Sequence, residues 1–433
     1  MSIADIFRQK TVTADEAVRA IKSGNRVFLT GNASVPQKIV AALVARGREV
    51  ADVEIAQVLT VGTAEYVAPA LAGHLRVNSL FISDDVRKAV NDGRADFTPC
   101  FLSEIPGLFR HGYLPLDAAL IHVTPPDEHG FCSLGVEVGV TKTAAQFAKV
   151  VIAEVNPNMP RTLGDSFIHI SKIDHIVPVD YRLPETPMGD PSELASRIAA
   201  NIAGLIPDGA TLQMGIGGIP DAVLLKLTGH KHLGVHSELF SDGVVELVEK
   251  GVIDGERKSL HPGKIIAGFL LGTRRLYDFV HDNPIVELHP TEYINDPFII
   301  AQNDRMVAIN SAIEVDMTGQ VCSDSIGPRL YSGVGGQIDF IYGSSRSKGG
   351  VPIIALPATA TVKGEVMSRI VPTLRPGAGV VTSRSHVRFV VTEYGVADLY
   401  AKTIRQRVQM LANIAAPEFR EELLRKAREF RYL

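Results

Sequence analysis

A chain of 433 residues, 45 % apolar and 21 % charged, lies in the ordinary globular range and has material for two sizeable cores. Its 44 Lys and Arg against 48 Asp and Glu leave a net charge of −4, and with aromatics at 6 % and no Trp this disfavours nucleic-acid binding. The most apolar stretches, 265–271 and 352–362, fall short of the ~20 residues of a membrane span, and the charged N-terminus lacks a signal peptide's apolar core.

Thr13-Ala-Asp-Glu16 is a capping box, and the following AVRAIKSG predicts a helix ended by Gly24. A short apolar strand, Arg26–Leu29, leads into a loop over 31–35. Pro36 then opens a helix through Ala45, where its missing N–H is no loss. Val53–Val58 is the next strand. The order returns near residue 190. Asp190-Pro-Ser-Glu193 caps a helix whose Leu194, Ile198 and Ile202 stand four apart on one face. After Gly209 come a strand Thr211–Met214, a loop over 215–219, a helix opened by Pro220 and a strand over 233–237. In both copies a glycine precedes a proline by five residues: Gly31 and Pro36, Gly215 and Pro220.

A second echo pairs Asp127-Glu-His-Gly130-Phe-Cys132-Ser133 with Asp316-Met-Thr-Gly319-Gln-Val-Cys322-Ser323, one residue inserted. The chain reads as one unit used twice. Residues 1–180 form one domain, the proline-bearing stretch 181–191 a linker, and 192–433 a second domain. Strands alternating with helices predict α/β domains with largely parallel sheets, whose ligands gather beyond the carboxyl ends of the strands. The charged helix from Pro417 alternates basic residues with Glu421, Glu422 and Glu429, as a solvated face does. Cys100, Cys132 and Cys322 are odd in number and lack metal-ligand spacing, which suits a reduced, cytoplasmic chain without a metal.

The loop Met214-Gly-Ile-Gly-Gly-Ile-Pro-Asp221 lies between strand and helix, where free N–H groups suit an anion; a tight turn explains it equally well. It is neither a Walker loop nor a full GxGxxG. Glu238, in Gly234-Val-His-Ser-Glu238-Leu-Phe-Ser-Asp242, falls where the strand is expected to end, as a structural carboxylate or a reacting one. His236 reads as a core histidine, and Asp242 as the cap of a helix over 243–250. Ser332-Gly333-Val-Gly335-Gly336-Gln337-Ile-Asp-Phe340 is a second glycine loop, either an oxyanion site or a turn. Glu314, inside an alternating strand, reads as structural. Neither Gly-x-Ser-x-Gly nor His-Glu-x-x-His occurs, which removes the common serine and zinc hydrolases.

Together these phrases resemble the acetyl-CoA hydrolase/transferase family of the CoA-transferases, over essentially the whole chain. Pro125-Pro-Asp-Glu-His-Gly-Phe-Cys132, Ala153-Glu-Val-Asn156, Tyr293-Ile-Asn-Asp-Pro297 and Thr392-Glu-Tyr-Gly395 add to the resemblance. It implies a tandem pair of α/β domains with the active site in the cleft between them. It implies that Glu238 carries a covalent CoA thioester. By the same resemblance Gly215, Ile216, Gly217, Gly218 and Ile219 contact CoA, as do Ile313, Gly336 and Lys363. Gly335 and Gly336 lie in the oxyanion loop, and Asn295 stands near the reacting carbonyl.

The implied reaction moves CoA between acetyl-CoA, or another short-chain acyl-CoA, and an acid such as 4-hydroxybutyrate or butyrate. CoA enters as substrate, with no permanently bound cofactor, no nucleic-acid or membrane partner, and a homodimer as the assembly. The loop 31–35, with Asn32 and Ser34, is a candidate lid or acid pocket. Acetyl-CoA hydrolase is the alternative within the family. A sugar-phosphate isomerase or ligand-sensing module is the remote one, and it leaves the second glycine loop unexplained.

Overall fold

The computed structural model describes residues 2–62 and 64–433, so Met1 and Thr63 lie outside it. By its contacts the chain forms two compact units, Met1–Pro187 with Ile266–Ile294, and Met188–Ile265 with Asn295–Leu433. The first unit thus reclaims a segment from beyond the proline-rich stretch, which a division at 181–191 does not foresee. Backbone bonding is the reason. Val138 and Gly139 N–H both donate to Gly268 O, Leu270 N–H donates to Val136 O, and Leu288 pairs in parallel with Gly164.

In the first unit the parallel strands run in the order His175–Pro178, Val150–Val155, Ala118–Val123, Arg26–Leu29, Val53–Val58, Leu75–Phe81 and Asp96–Phe97. The central strand Ala118–Val123 is buried along its whole length, as expected of a sheet covered on both faces. The second unit orders its strands as Phe389–Thr392, Val351–Ala355, Met306–Ser311, Thr211–Met214 and Gly234–Phe240, all parallel. Gly395–Asp398 adds an antiparallel edge. In both units the first strand lies inside the sheet, with the second on one side of it and the last three parallel strands on the other. The fold is mixed α/β, with one strand order used twice.

The second echo is a matching turn. Asp127 accepts from the N–H groups of His129 and Phe131, and Asp316 from those of Thr318 and Gln320. Gly130 and Gly319, at φ 85° and 100°, supply the left-handed backbone each turn needs. Cys132 and Cys322 are both buried.

Local readings hold with small shifts. The Thr13–Glu16 capping box forms, but only Ala14–Ala17 is α-helical before a 3₁₀ turn. Pro36 is the residue before the helix Gln37–Ala45 rather than its first. Pro220 is the third residue of the helix Gly218–Lys226. Ser192 caps the helix Glu193–Ala203, whose buried face is Ala195, Ile198, Ala199 and Ile202; Leu194 lies off that face, exposed. A helix Ile3–Lys10 with its own Ser2–Asp5 capping box was not foreseen. The helix Pro417–Glu429 carries exposed pairs of Arg425 with Glu422 and Glu429, as a solvated face should.

The loop 31–35 is packed into its own unit rather than standing open. Asn32 and Ser34 are buried, Asn32 N–H donates to Leu59 O, and the Asn32 amide donates to Glu137. A Cβ on Gly31 would stand inside 3.0 Å of the Val58 and Leu59 carbonyl oxygens, so close backbone packing holds this loop. Burial pushes the Glu137 carboxyl up to about 8, against the opposing bonds from Asn32 and Val140. A carboxyl raised in the folded state contributes fully below its unfolded value near 4.5, and the contribution is lost as pH rises toward 8. Glu137→Gln is therefore expected to flatten the fall of stability between pH 5 and 8 by up to about 1.4 kcal/mol per pH unit. Denaturant unfolding across that range checks it; an unchanged slope means Glu137 is not held neutral.

Candidate active site

The strand that carries Glu238 is longer than its sequence suggests. Buried Leu239 and Phe240 continue it, so Glu238 stands inside the strand Gly234–Phe240 rather than at its end. Its side chain is partly buried, while Val235, His236 and Ser237 before it are fully buried. Facing it is the start of the helix Gln337–Arg346, whose first flanking residue is Gly336. Gly335 before it has φ 59°, the left-handed conformation that glycine takes without strain. A Cβ built on Gly336 would lie inside 3.0 Å of both Glu238 Oε1 and Asn295 Nδ2. Three residues from separate parts of the sequence meet at one point.

Tight helix packing fixes the third of them. Asn295 precedes the short helix Pro297–Ile300, which Asp296 caps. That helix lies against Gln337–Arg346 at Gly343, where a Cβ would come within 2.6 Å of Ile300 Cβ and 3.1 Å of Pro297 O. Small residues at such a crossing let backbones approach closely. Asn295 is fully buried, its Oδ1 without a hydrogen-bond partner among the described residues and its Nδ2 3.5 Å from Asp339 Oδ2.

Burial, then the Asp339 charge, pushes the Glu238 carboxyl up to about 8. Hydrogen bonds from the Asn295 amide and the Gly336 N–H oppose that shift. The arrangement is a basic carboxylate with two donors already aimed at it. Once ionised, such a group is a stronger nucleophile than a solvated glutamate, and the donors can hold an oxyanion on its own carbonyl.

The glycine loop before the helix Gly218–Lys226 borders a cavity of about 360 Å³, a size that suits part of a cofactor-like ligand. Ile216, Gly217, Gly218 and Ile219 line it together with Ala312 and Arg369. Gly217 needs glycine for its φ of 111°, whereas a Cβ on Gly218 would meet nothing within 4 Å. Space stands open where the loop faces out. A Cβ on Gly215 would come no closer than 3.9 Å to Pro220 Cγ, so packing does not dictate its glycine either. Ile313 O accepts from Arg369 Nε at 2.7 Å, tying that position to the same cavity wall. Lys363, at φ 52°, occupies the exposed turn between the paired strands Thr359–Val362 and Glu365–Ser368.

The other candidates take structural places. His236 is buried with its ring 6.3 Å from that of Phe340. Glu314 is buried, pairs with Arg375 Nε at 3.3 Å and accepts the Arg375 N–H. Asp242 is the first residue of the helix Asp242–Glu249, and Ser241, not Asp242, flanks it. Its charge adds to burial in raising Asp221 to about 6. Among the described residues, His232, Asp254 and Glu256 offer donor atoms within 4.8 Å of one another. They gather before the start of the strand Gly234–Phe240, the opposite end from that toward which Glu238 lies. No described helix is long and apolar enough to cross a membrane.

Sequence reasoning missed two carboxylates. Asp339 sits in the quoted glycine loop, and a charged residue between Ile338 and Phe340 on a helix was the available signal. Glu137 gave none, because its partner Asn32 is 105 residues away.

The description "Acetyl-CoA hydrolase/transferase N-terminal domain" matches residues 3–184, and the C-terminal domain of the same family matches residues 272–427. The chain is 53 % identical to a 4-hydroxybutyrate coenzyme A transferase of Clostridium kluyveri over 98 % of both chains. It is 36 % identical to a butyryl-CoA:acetate CoA-transferase of Anaerostipes caccae, covering 99 % of this chain and 98 % of that one. A crystal structure of 4-hydroxybutyrate CoA-transferase from Porphyromonas gingivalis superposes with a TM-score of 0.85 at 42 % identity, over 99 % of each chain.

Proposed function

The chain belongs to the acetyl-CoA hydrolase/transferase family and is a CoA-transferase, and from that premise we propose that Glu238 is its nucleophile and a short-chain acid its acceptor. The observation that carries the reading is the meeting of the Glu238 carboxylate with the Gly336 N–H and the Asn295 amide. Acetyl-CoA, or another short-chain acyl-CoA, is the donor and 4-hydroxybutyrate or butyrate the acceptor, a reading supported by relatives named for 4-hydroxybutyrate and for the butyryl-CoA and acetate pair.

A Glu238 carboxylate oxygen attacks the thioester carbonyl. A C–O bond forms, the C–S bond breaks, and an acyl-glutamyl anhydride and CoA thiolate result. The thiolate then attacks the glutamyl carbonyl. A new C–S bond forms there, and the first acid leaves as carboxylate. The incoming acid reverses both steps on the Glu238–CoA thioester. Activation is conserved throughout, so no ATP is consumed.

Gly336 N–H and the Asn295 amide would stabilise the oxyanion on the glutamyl carbonyl, and Gly335 would add its own N–H. Loss of one such donor typically costs ~3 kcal/mol of barrier. Gly215 to Ile219, Ile313 and Lys363 would hold CoA remote from the sulfur, supplying binding energy that can be used at the reacting carbonyl. A homodimer in the cytoplasm is the working assembly, to be checked by sedimentation and fractionation.

Acyl-CoA products separated after mixing the protein with acetyl-CoA and each acid test the transfer. Formation of 4-hydroxybutyryl-CoA or butyryl-CoA in step with acetate is expected. Acetate matched by free CoA, with no new acyl-CoA, would instead identify a hydrolase.

A further inference from the structure

Asn295 is a symmetric-looking group in an asymmetric task. Its amide oxygen and nitrogen are nearly the same size, yet only the nitrogen can donate to a carboxylate or an oxyanion. Local partners decide which end faces Glu238. The second carboxylate near the amide is Asp339, buried at 3 % exposure on the first turn of the helix Gln337–Arg346. Its Oδ2 lies 3.5 Å from Asn295 Nδ2. The same nitrogen and Glu238 Oε1 crowd one point above Gly336. With carboxylates on both sides, the nitrogen end gains two acceptors; the reversed amide would set its oxygen against both.

We propose that Asp339 is a positioning residue for CoA transfer, holding the Asn295 amide with its N–H groups toward Glu238. The inference rests on Glu238 as nucleophile. A cost in the structure supports it: Asn295 Oδ1 is buried without a hydrogen-bond partner among the described residues, so the amide keeps this orientation at the expense of one unmet acceptor. The two carboxylates compensate. Contacts in catalytic sites that are long when empty commonly tighten as charge develops, and the 3.5 Å contact fits that pattern.

Asp339 has a second effect on the same atom, since its charge raises the Glu238 carboxyl after burial has done so. Asp339 and the Gly336 N–H come from the helix side, and the Asn295 amide from the segment before Pro297. His236 lies two residues back on the same face of the strand, its ring against Phe340.

Steady-state kinetics of Asp339→Asn and Asp339→Glu, alone and in an Asn295→Ala background, test the proposal. Asp339→Asn is expected to lower kcat about 100-fold, the scale of losing one oriented donor, with KM for acetyl-CoA nearly unchanged. The low-pH limb of kcat/KM should move to lower pH. Asp339→Glu should restore part of kcat. In the Asn295→Ala background the same change should cost little more, because the residue it orients is gone.

A kcat within about twofold of the parent, or equal losses with and without Asn295, would overturn the positioning role. So would a loss that follows melting temperature while the pH limb stays in place. If Asp339→Asn does not fold, Asp339→Glu carries the comparison: a kcat below the parent with an intact melt, and little further loss in the Asn295→Ala background, supports the role, and an equal loss with and without Asn295 refutes it. Peptide mass spectrometry separates the two levels of failure. A parent enzyme without CoA on Glu238 defeats the nucleophile assignment, whereas an adduct that forms equally fast in Asp339→Asn defeats only the role of Asp339.

Discussion

Glu238→Gln is expected to remove CoA transfer almost entirely, by at least about 10⁴-fold in kcat, while the protein stays folded. The amide fills the same space between Gly336 and Asn295, so packing survives, but it cannot attack a thioester. It also removes the burden of a carboxyl that burial and Asp339 hold at about 8. Stability at neutral pH should hold or rise, since folding no longer has to protonate a carboxyl that is ionised in the unfolded chain. The pairing of lost rate with retained melting temperature is the signature. For the parent enzyme, kcat/KM should climb with pH toward a plateau above about 8, as the nucleophile ionises. Activity above a tenth of the parent in Glu238→Gln would remove Glu238 from the chemistry.

Gly336→Ala carries the second-largest expected effect. The added Cβ has no space: Glu238 Oε1, Glu238 Cδ and Asn295 Nδ2 all fall inside 3.0 Å of it. The nucleophile, the amide or the helix start must move. A displacement near an ångström suffices to cost about 100-fold in rate, and overpacking a full site costs about 1–3 kcal/mol of stability. We expect kcat to fall by that factor or more and the melt to drop modestly. Gly218→Ala is the matched control, since its Cβ would enter open space. There the fold should be unchanged and the effect should appear in KM for acyl-CoA. Equal kinetics in the two variants would mean the crowding at Gly336 is catalytically irrelevant.

The repeated unit was legible because its signals are local. Thr13 and Glu16 form their capping box, strands Arg26–Leu29 and Thr211–Met214 form as read, and the Asp127 and Asp316 turns repeat the same bonds. Boundaries were less legible where burial extends an element past its pattern. Glu238 lies inside its strand because Leu239 and Phe240 still face core, which no local rule reveals.

Assignments that depend on long-range pairing were hidden for the same reason. Residues 266–294 belong with the first unit through bonds to Val136, Val138 and Gly139, more than 100 positions away. At the site, the residue types came from motifs and a family resemblance, but their meeting came from elsewhere. The Gly343–Ile300 crossing brings Asn295 to Gly336, and only three-dimensional structure shows Asp339 behind the amide.

The most direct measurement is peptide mass spectrometry of the parent protein mixed with acetyl-CoA and no acceptor. The account predicts CoA bound as a thioester on the peptide containing Glu238, disappearing when 4-hydroxybutyrate or butyrate is added and new acyl-CoA forms. Turnover to new acyl-CoA with no adduct on that peptide, or an adduct mapped to another residue, would contradict it.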